Sequence, residues 1–499
     1  MKKIINFSLL IGMILYFASC SIKEKAISDV LVVTDTAGFV KYKTKADMQA
    51  QYEGMYTLLQ GNDGLERWNA DYLVFNETHA DNAYRGATDA ELTQMEQQKQ
   101  NGINKNIERD WTSFYNLVNA ANRIINNVDS VPDPALSLAE RKQWKAEALI
   151  YRSMVYFDMV RMWGAVPLVL LEPPAITSKN LVEVYPLYYP ARDSVTKVYK
   201  QIIQDLNTGL ADAPAIDPSN KFVFSKTVAN ALLAKVYAEL PVRDYAKVIT
   251  YCTAVEQDVS ILEANYADLF AVNDAGTDVK VRNSSESIFE INFSGGGNWN
   301  TWLYGRDWTD PASKYDWAKW LTPSRDLVAA FDKAKDVVRK NATVTYGVVT
   351  WSNEYPSANY PFMYKCRSKY NSVIKIRLAD IFLLKAEAYV NQNDLATATS
   401  YVNKIRTRAK LPDLDATATS SKANMLDAVL NERRLELAFE GHRWFDLVRY
   451  GKVMDVLNSL NSRDPGRLAM DQVNENSILL PLPQSQIEIN PRLVQNPGY

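Results

Sequence analysis

The 499-residue sequence is poor in the side chains that most often carry out catalysis. It holds only two histidines, His79 and His442, and three cysteines, Cys20, Cys252 and Cys366. It contains no HExxH, GxSxG, phosphate-loop or paired CxxC motif, so no pattern indicates a catalytic, metal or nucleotide site. The two carboxylates of a glycosidase need only lie close together in the fold, so the absence of a motif does not exclude such a pair. We therefore predict no catalytic residue, no metal and no cofactor.

The sequence also lacks an excess of positive charge and, beyond its N-terminus, any long hydrophobic run. The formal net charge is −2, which argues against nucleic acid as a partner because no basic surplus is available to neutralise phosphates. No later apolar stretch approaches the roughly 20 residues that a membrane-spanning helix needs. Aromatic residues, in contrast, are plentiful, with 28 tyrosines and 11 tryptophans, and flat rings are typical of ligand-binding surfaces.

Residues 1–19 are predicted to be an export signal outside the folded domain. Two lysines precede an apolar run over residues 4–17, and residues 17–20 read Phe-Ala-Ser-Cys. This end resembles a bacterial lipobox, which implies cleavage before Cys20 and acylation of Cys20. Several acyl chains on one residue would anchor the protein firmly to a membrane. The alternative is an ordinary secretory signal followed by an incidental cysteine.

Cys252 and Cys366 lie far apart in different sequence contexts. They could form one disulfide in an exported protein, but the interpretation as two buried free thiols is favoured.

Helical periodicity dominates both ends of the chain. The spacing of apolar residues predicts helices over 46–60, 105–128, 137–163 and 191–210, with a loop-rich stretch over 61–90. Two later segments share one pattern of small residues and a tyrosine: Leu233-Ala234-x-x-Tyr237 with Ala246, and Lys385-Ala386-x-x-Tyr389 with Ala398. Such spacing lets antiparallel helices approach closely, as in tetratricopeptide repeats. The sequence therefore predicts a mostly α fold with tetratricopeptide-like helical hairpins as its scaffold.

A loop-rich insert, about 256–372, separates these two hairpins. It contains strand-like pieces at 287–293 and 343–349 and six of the eleven tryptophans, at positions 299, 302, 308, 317, 320 and 351. Long irregular connections are usually either functional or disordered. The richness in aromatic residues argues against disorder, so we expect the insert to carry ligand contacts.

The segment Asn431–Gly451, called the arginine segment below, alternates arginines and carboxylates with large apolar residues. A helix is expected to end or bend at Gly441. Arg433 and Arg434 are expected to pair with carboxylates such as Glu436, Glu440 or Asp446, in a structural and not a catalytic role. The last twenty residues contain four prolines, which predict an extended, turning path that is not helical.

Four motifs in order resemble the SusD/RagB family. They are the lipobox at Cys20, a helix running into Trp163-Gly164-x-Val166-Pro167, the arginine segment, and the terminal Gln495-Asn496-Pro497-Gly498-Tyr499. The resemblance implies that residues 20–499 form a single SusD-like domain, lipid-anchored at the outer membrane and facing the cell exterior. It implies a TonB-dependent SusC-like transporter as partner and capture of an oligosaccharide without bond cleavage. The alternatives are a peptide-binding member of the same import system, a hydrolytic lipoprotein, or a protein-interaction scaffold.

Two loops combine aromatic rings with amide, carboxylate and arginine groups. A ring can pack against the C–H face of a sugar while the polar groups bind its hydroxyls. The family's ligand residues lie in variable loops, so these candidates come from the residues alone. In the insert they are Asn298, Trp299, Trp302, Tyr304, Arg306, Asp307 and Trp308, and in the early loop Trp68, Asn69, Asp71, Tyr72 and Arg85. The alternative is that these rings pack the loops onto the helices.

Overall fold

The computed structural model describes residues 41–61, 66–172, 176–177, 179–293 and 300–499. These residues are mostly helical, as predicted, and the strands among them are short. They fall into two compact units. One is a short segment that contains helix α5, Leu181–Tyr188. The larger unit runs from Val40 to Glu172 and from Tyr189 to Tyr499, and all other elements belong to it.

The N-terminal part of the larger unit is a set of packed helices, all of which the periodicity predicted except α2. Their bounds are α1 Lys45–Gln60, α2 Ala90–Gln97, α3 Lys105–Asn127, α4 Leu138–Trp163 and α6 Val195–Asp212. Helix α4 packs against both α3 and α6, and its C-terminal half is buried on every side. Thr44 and Ser137 form capping boxes that satisfy free N–H groups at the starts of α1 and α4. Between α1 and α2, two wide helical turns cover Glu66–Asp71 and Val74–Thr78.

The two predicted repeats are helical hairpins. They consist of α7 Lys226–Ala238 with α8 Tyr245–Asp258, and of α12 Leu378–Asn391 with α13 Leu395–Arg408. The hairpins contact each other through α8 and α12. Each is closed by a stacked tyrosine pair: the ring centroids of Tyr237 and Tyr251 are 5.8 Å apart, and those of Tyr389 and Tyr401 are 5.9 Å apart.

One repeat position was predicted wrongly. Ala398 is buried at the helix crossing, but Ala246 is exposed and Val248 is buried in its place. The reason is the longer connection in the first hairpin, where a 3-10 turn over Leu240–Val242 follows α7. That turn shifts the register of α8, so a constant offset from the tyrosine misses the contact residue.

Among the described residues, the insert contributes strands to three two-stranded antiparallel sheets, whose other strands include β1 from the early loop and β6 directly after the insert. Strand β1 pairs with β3, β2 with β6, and β4 with β5. The strands are β1 Ala83–Arg85, β2 Ser287–Ile291, β3 Leu321–Pro323, β4 Val344–Gly347, β5 Tyr360–Met363 and β6 Val373–Arg377. Both predicted strands are therefore confirmed, as β2 and β4. Sequence analysis missed the insert's helices, α9 Asn300–Tyr304, α10 Arg325–Ala334 and α11 Val337–Thr343.

The C-terminal part begins with two helices that meet at a sharp break. Its helices are α14 Lys422–Glu436, α15 Arg443–Arg449, α16 Val453–Leu457, α17 Leu460–Arg463 and α18 Gln484–Ile489. Gly441 adopts a positive φ of 76° between α14 and α15, which confirms the predicted break. Helix α18 contradicts the expectation of a wholly non-helical terminus. It fits because Pro483 precedes its first turn, where a missing N–H costs nothing.

Two further expectations concern membranes and thiols. In the described ranges, no helix combines the length and apolar character needed to cross a bilayer.

Cys252 and Cys366 are buried free thiols, which confirms the favoured interpretation. Burial raises the pKa of both thiols well above the ordinary value for cysteine.

Candidate functional site

The arginine segment is the centre of a buried ionic network that joins the hairpins to the insert. Glu436 accepts hydrogen bonds from Arg377 Nη1 at 2.6 Å and from Arg339 Nη1 at 3.1 Å, and it also pairs with Arg408. Burial alone would raise the pKa of Glu436, but the three surrounding guanidiniums hold it well below its usual value. Arg377 also donates to Glu440 at 2.7 Å and lies in β6, which follows the insert and pairs with its strand β2, so the network holds the insert against α14.

The partners of the two predicted arginines differ from the expectation in one case. Arg433 Nε donates to Asp446 at 2.8 Å, as predicted, and Arg433 Nη2 donates to Asp380 at 2.7 Å. Arg434 instead extends toward other elements and pairs with Asp326 at 2.7 Å and with Asp81 at 3.2 Å. The reason is helical geometry: consecutive residues of α14 point about 100° apart and so face different elements.

The break at Gly441 is held by close packing. A Cβ at this position would lie 2.4 Å from Cε1 of Tyr72, so only glycine fits. The Gly441 N–H donates to Glu77 Oε1 at 3.0 Å. Burial raises the pKa of Glu77 to about 7. The arginine segment therefore packs directly on the early loop that contains the second group of candidate residues.

Trp68 and Tyr72, candidates from the early loop, lie in the core. Trp68 is 1 % exposed and Tyr72 is 5 % exposed, and the Lys375 ammonium lies 4.3 Å and 3.7 Å from their ring centroids. The cavity beside them measures about 50 Å³, far below the roughly 300 Å³ at which ordinary ligand pockets begin. The hypothesis that these rings stack on a surface-bound sugar does not fit this burial.

The other early-loop candidates make contacts within the protein. Asp71 is buried and pairs with Arg109, and Arg85 pairs with Glu96 and Glu354 at 3.3 Å each. Asn69 belongs to the turn Glu66–Asp71, and its side chain lies outside what the structure describes. The early loop thus supplies structural ion pairs.

Asp71 also forms a close carboxyl pair with Asp110, and a hydrolytic function would need two carboxyls that can reach a ligand. Burial and the Asp71 charge raise the pKa of Asp110 well above its usual value. The cavity that the two acids line measures only about 10 Å³. A space of that size admits no more than a water molecule, so the pair has no access to a glycosidic bond.

In the insert, Trp302 stands out by its exposure. Its residue surface is 53 % accessible, and its ring centroid lies 5.0 Å from that of Trp317 at an interplanar angle of 54°. The neighbouring Leu303 and Tyr304 are 3 % and 0 % exposed and anchor α9 in a small core. Trp302 is therefore held on the outward side of α9, where Trp317 supports it.

The remaining described insert candidates divide between surface and core. Trp308 is half-buried, with the Arg306 guanidinium carbon 4.2 Å from its ring centroid and Tyr364 at 5.4 Å. Asp307 is buried and accepts a hydrogen bond from the Thr309 N–H at 2.9 Å, so it caps a turn. Tyr304 is fully buried, and its burial does not fit a sugar-binding role.

Three predicted positions, Asn298, Trp299 and Cys20, lie outside the described residues. Trp317, in contrast, is a residue that sequence analysis counted among the insert's tryptophans but did not assign to the site. Trp317 lies fifteen positions after Trp302 in the sequence, and no helical or strand periodicity predicts that the two residues are in contact. Their membership of one tryptophan-rich segment was the only available signal.

His79 occupies the core, although it lies in the stretch over 61–90 that was predicted to be loop-rich. Its ring stacks on Phe75 at 5.4 Å and lies 4.0 Å from Trp444. Burial lowers its pKa to about 3, so the ring is neutral at physiological pH. It has a packing role and no access to a ligand.

Comparison with known proteins agrees with this architecture. Residues 333–499 match the family model described as SusD family, and residues 35–238 match one described as starch-binding, associating with the outer membrane. A SusD-like protein of Formosa agariphila is 25 % identical over 92 % of each chain. A SusD-like protein of Bacteroides ovatus is 26 % identical over 72 % of this chain and 69 % of its own length.

Solved structures share the fold over nearly the whole chain. A SusD superfamily protein from Bacteroides vulgatus superposes with a TM-score of 0.70 at 20 % identity, covering 91 % of this chain and 99 % of its own. A laminarin-binding SusD-like protein superposes with a TM-score of 0.72 at 23 % identity, covering 92 % and 100 %. The fold is thus that of the SusD-like proteins. The chain belongs to the SusD family.

Proposed function

We propose that the protein captures oligosaccharide at the cell surface, and that the pair Trp302–Trp317 is its stacking platform. The exposure of Trp302 carries this proposal. An indole left half in water forgoes the stabilisation of burial, which is about 25 cal/mol per Å² of apolar surface. A bound sugar would recover part of it by covering the ring.

The geometry of the pair suits a sugar chain. Two rings inclined at 54° present faces in different directions, so consecutive sugar units of a curved chain could each meet one ring. Arg306 and Trp308 follow on the same segment and offer a guanidinium and a second half-buried ring. Arg306 would donate hydrogen bonds to hydroxyls, which a hydrophobic platform alone cannot orient.

The membrane context follows from the family and from the N-terminus. The matched family is described as associating with the outer membrane, and Cys20 supplies a thiol for acylation. The protein would then be anchored by lipid, face the exterior, and pass its ligand to a TonB-dependent SusC-like transporter. This transporter should co-purify with the lipoprotein from gently solubilised outer membranes. Recovery of the lipoprotein without any such transporter would contradict the partnership.

A binding screen tests the proposed ligand class. The purified lipoprotein is applied to an array of neutral and charged glycans and, separately, to a library of short peptides. We expect binding to one group of related oligosaccharides and no release of shortened products on prolonged incubation. Binding confined to peptides would identify a peptide-import member of the family, and product release would identify a hydrolase. Either result would contradict the proposal.

A further inference from the structure

A second, larger cleft lies between helices α10 and α14, on residues that the ring pair does not use. Its volume is about 710 Å³, which is within the 300 to 1,000 Å³ typical of small-molecule sites. Small side chains create the space: Ala329, Ala330 and Ala334 of α10 line it together with Ala428 of α14. Its described lining contains no aromatic residue. A ligand here would be held by charge and hydrogen bonds and not by stacking.

At one end of the cleft, arginines outnumber the carboxylates that they contact. Asp81 is shared by three guanidiniums: Arg443 at 2.7 Å, Arg434 at 3.2 Å and Arg463 at 3.5 Å. Asp326 is shared by Arg434 and Arg463, each at 2.7 Å. Two carboxylates therefore face three arginines, and this end of the cleft keeps a net positive charge.

Two of the arginines, Arg463 and Arg406, also lie closer to solvent than the carboxylates that pair with them. The side chain of Arg463 is 37 % exposed, whereas those of Asp81 and Asp326 are 0 % and 10 % exposed. Farther along the cleft, the Arg406 side chain is 17 % exposed and its partner Glu432 only 3 %. A molecule entering the cleft would thus meet guanidinium groups before it met the carboxylates behind them.

Two more charged residues complete the lining at the rim. Lys333 of α10 is exposed and adds a further cation. Asp415 is the exposed acid of the lining, and it is engaged locally, accepting a hydrogen bond from the Ala418 N–H at 2.8 Å. Arg443, at the base, is 6 % exposed and its Nη1 makes no hydrogen bond to the described residues. That spare donor remains for a water molecule or a ligand group to satisfy.

We propose that this cleft binds an anionic ligand of oligosaccharide size that carries carboxylate or sulfate groups. Guanidinium groups recognise both anions through paired N–H donors, and the alanine floor leaves room for a chain of sugar units. The inference goes beyond the stacking platform, because the two sites share no residue and either could fail without the other.

The exposed Ala329 permits a test that leaves the ion pairs intact. Ala329→Glu places a negative charge in the cleft, and Ala329→Lys places a positive charge of similar bulk at the same point. Both are good helix formers at an exposed position of α10, so neither should alter folding. Comparing the two variants separates the effect of charge from the effect of size.

Calorimetry on the full-length lipoprotein would use three probes: tetragalacturonate for carboxylate, sulfated maltotetraose for sulfate, and unmodified maltotetraose as the neutral control. We expect at least one anionic probe to bind, with about tenfold weaker affinity in Ala329→Glu because of like-charge repulsion. Ala329→Lys should bind at least as well as the wild type, and Trp302→Ala should leave this affinity unchanged. The probe that binds identifies the anion.

Three results would overturn the inference. The first is that neither anionic probe binds. The second is that Ala329→Glu and Ala329→Lys lose affinity for the anionic probe equally. The third is that Trp302→Ala loses affinity for the anionic probe while Ala329→Glu does not. The last result would place the anionic chain on the ring pair, so the proposed function would survive while the cleft site would not. Loss of maltotetraose binding in Trp302→Ala alone would concern only the stacking platform.

Discussion

Replacing Arg377 with methionine tests whether the buried ionic network holds the insert to the helical scaffold. The Arg377 side chain is 1 % exposed and contacts Glu286, Glu436 and Glu440 at 2.6 to 2.7 Å. Methionine keeps most of the side-chain volume but removes the charge and the donors. Arg408, Arg339 and Lys365 still reach these glutamates. One negative charge nevertheless loses its compensation in the core.

Breaking a buried ion pair in this way typically costs about 3 to 5 kcal/mol. Unfolding entropy of about 2 cal/mol/K per residue amounts to roughly 1 kcal/mol/K for a chain of this length, so the melting temperature should fall by about 3 to 5 °C. Lys145→Ala is the matched control, since its pair with Asp129 is exposed on both sides. It should change the unfolding free energy by less than about 1 kcal/mol.

The effect of Arg377→Met should also depend on pH. Burial would raise the pKa of Glu440, but Arg377 and Lys365 lower it below the ordinary value of 4.5. A carboxyl with a lowered folded-state pKa stabilises the protein above its unfolded pKa and loses this contribution as pH falls. Denaturant unfolding at pH 7.5 and at pH 3, below the ordinary value, should therefore show a larger loss at pH 7.5. A variant as stable as the wild type at pH 7.5 would refute the structural role of the network.

Three further tests, one of them with a matched control variant, have distinct expected outcomes. Cys20→Ala should leave the protein out of the outer-membrane fraction, and wild-type levels there would refute the lipobox interpretation. Gly441→Ala should cost about 2 to 4 kcal/mol in denaturant unfolding, since a Cβ meets Tyr72 at 2.4 Å. Gly451→Ala, with positive φ but open space, should cost only about 1 to 2 kcal/mol; equal losses would refute the packing argument. His79 has a folded pKa of about 3 against 6.5, so stability should fall by up to about 1.4 kcal/mol per pH unit below pH 6.5. His79→Phe should flatten that slope, and an unchanged slope would contradict the burial argument.

Local patterns predicted the helices well because helical periodicity is set by residues that are close together in the sequence. Helices α1, α3 and α4 lie within one residue of their predicted bounds. The same reasoning failed where a short turn changed the register, as at Ala246, where Val248 took the buried position. Helix propensity and the spacing of apolar residues do not show how long the connection between two helices is.

The ionic contacts and the ring pair could not be predicted because they depend on tertiary placement. Asp81 and Asp326 reach Arg434 from positions more than one hundred residues earlier. The burial of Trp68 and the exposure of Trp302 likewise follow from how the insert packs, since both lie in stretches of sequence that are polar and rich in aromatic residues. Composition therefore indicated aromatic residues as candidates but not which of their rings face solvent.

The most direct test of the proposed function is calorimetry on Trp302→Ala with the best glycan from the array. A ring stacked on sugar contributes about 1 kcal/mol beyond burial, and burial adds a similar amount, so affinity should fall roughly tenfold to a hundredfold. Because Trp302 is 53 % exposed, the melting temperature of the Trp302→Ala variant should stay close to that of the wild type. Trp163→Ala, at a fully buried position, is the matched control and should lose about 3 to 5 kcal/mol of stability. Unchanged glycan affinity in Trp302→Ala would contradict the assignment of the ring pair as the binding surface.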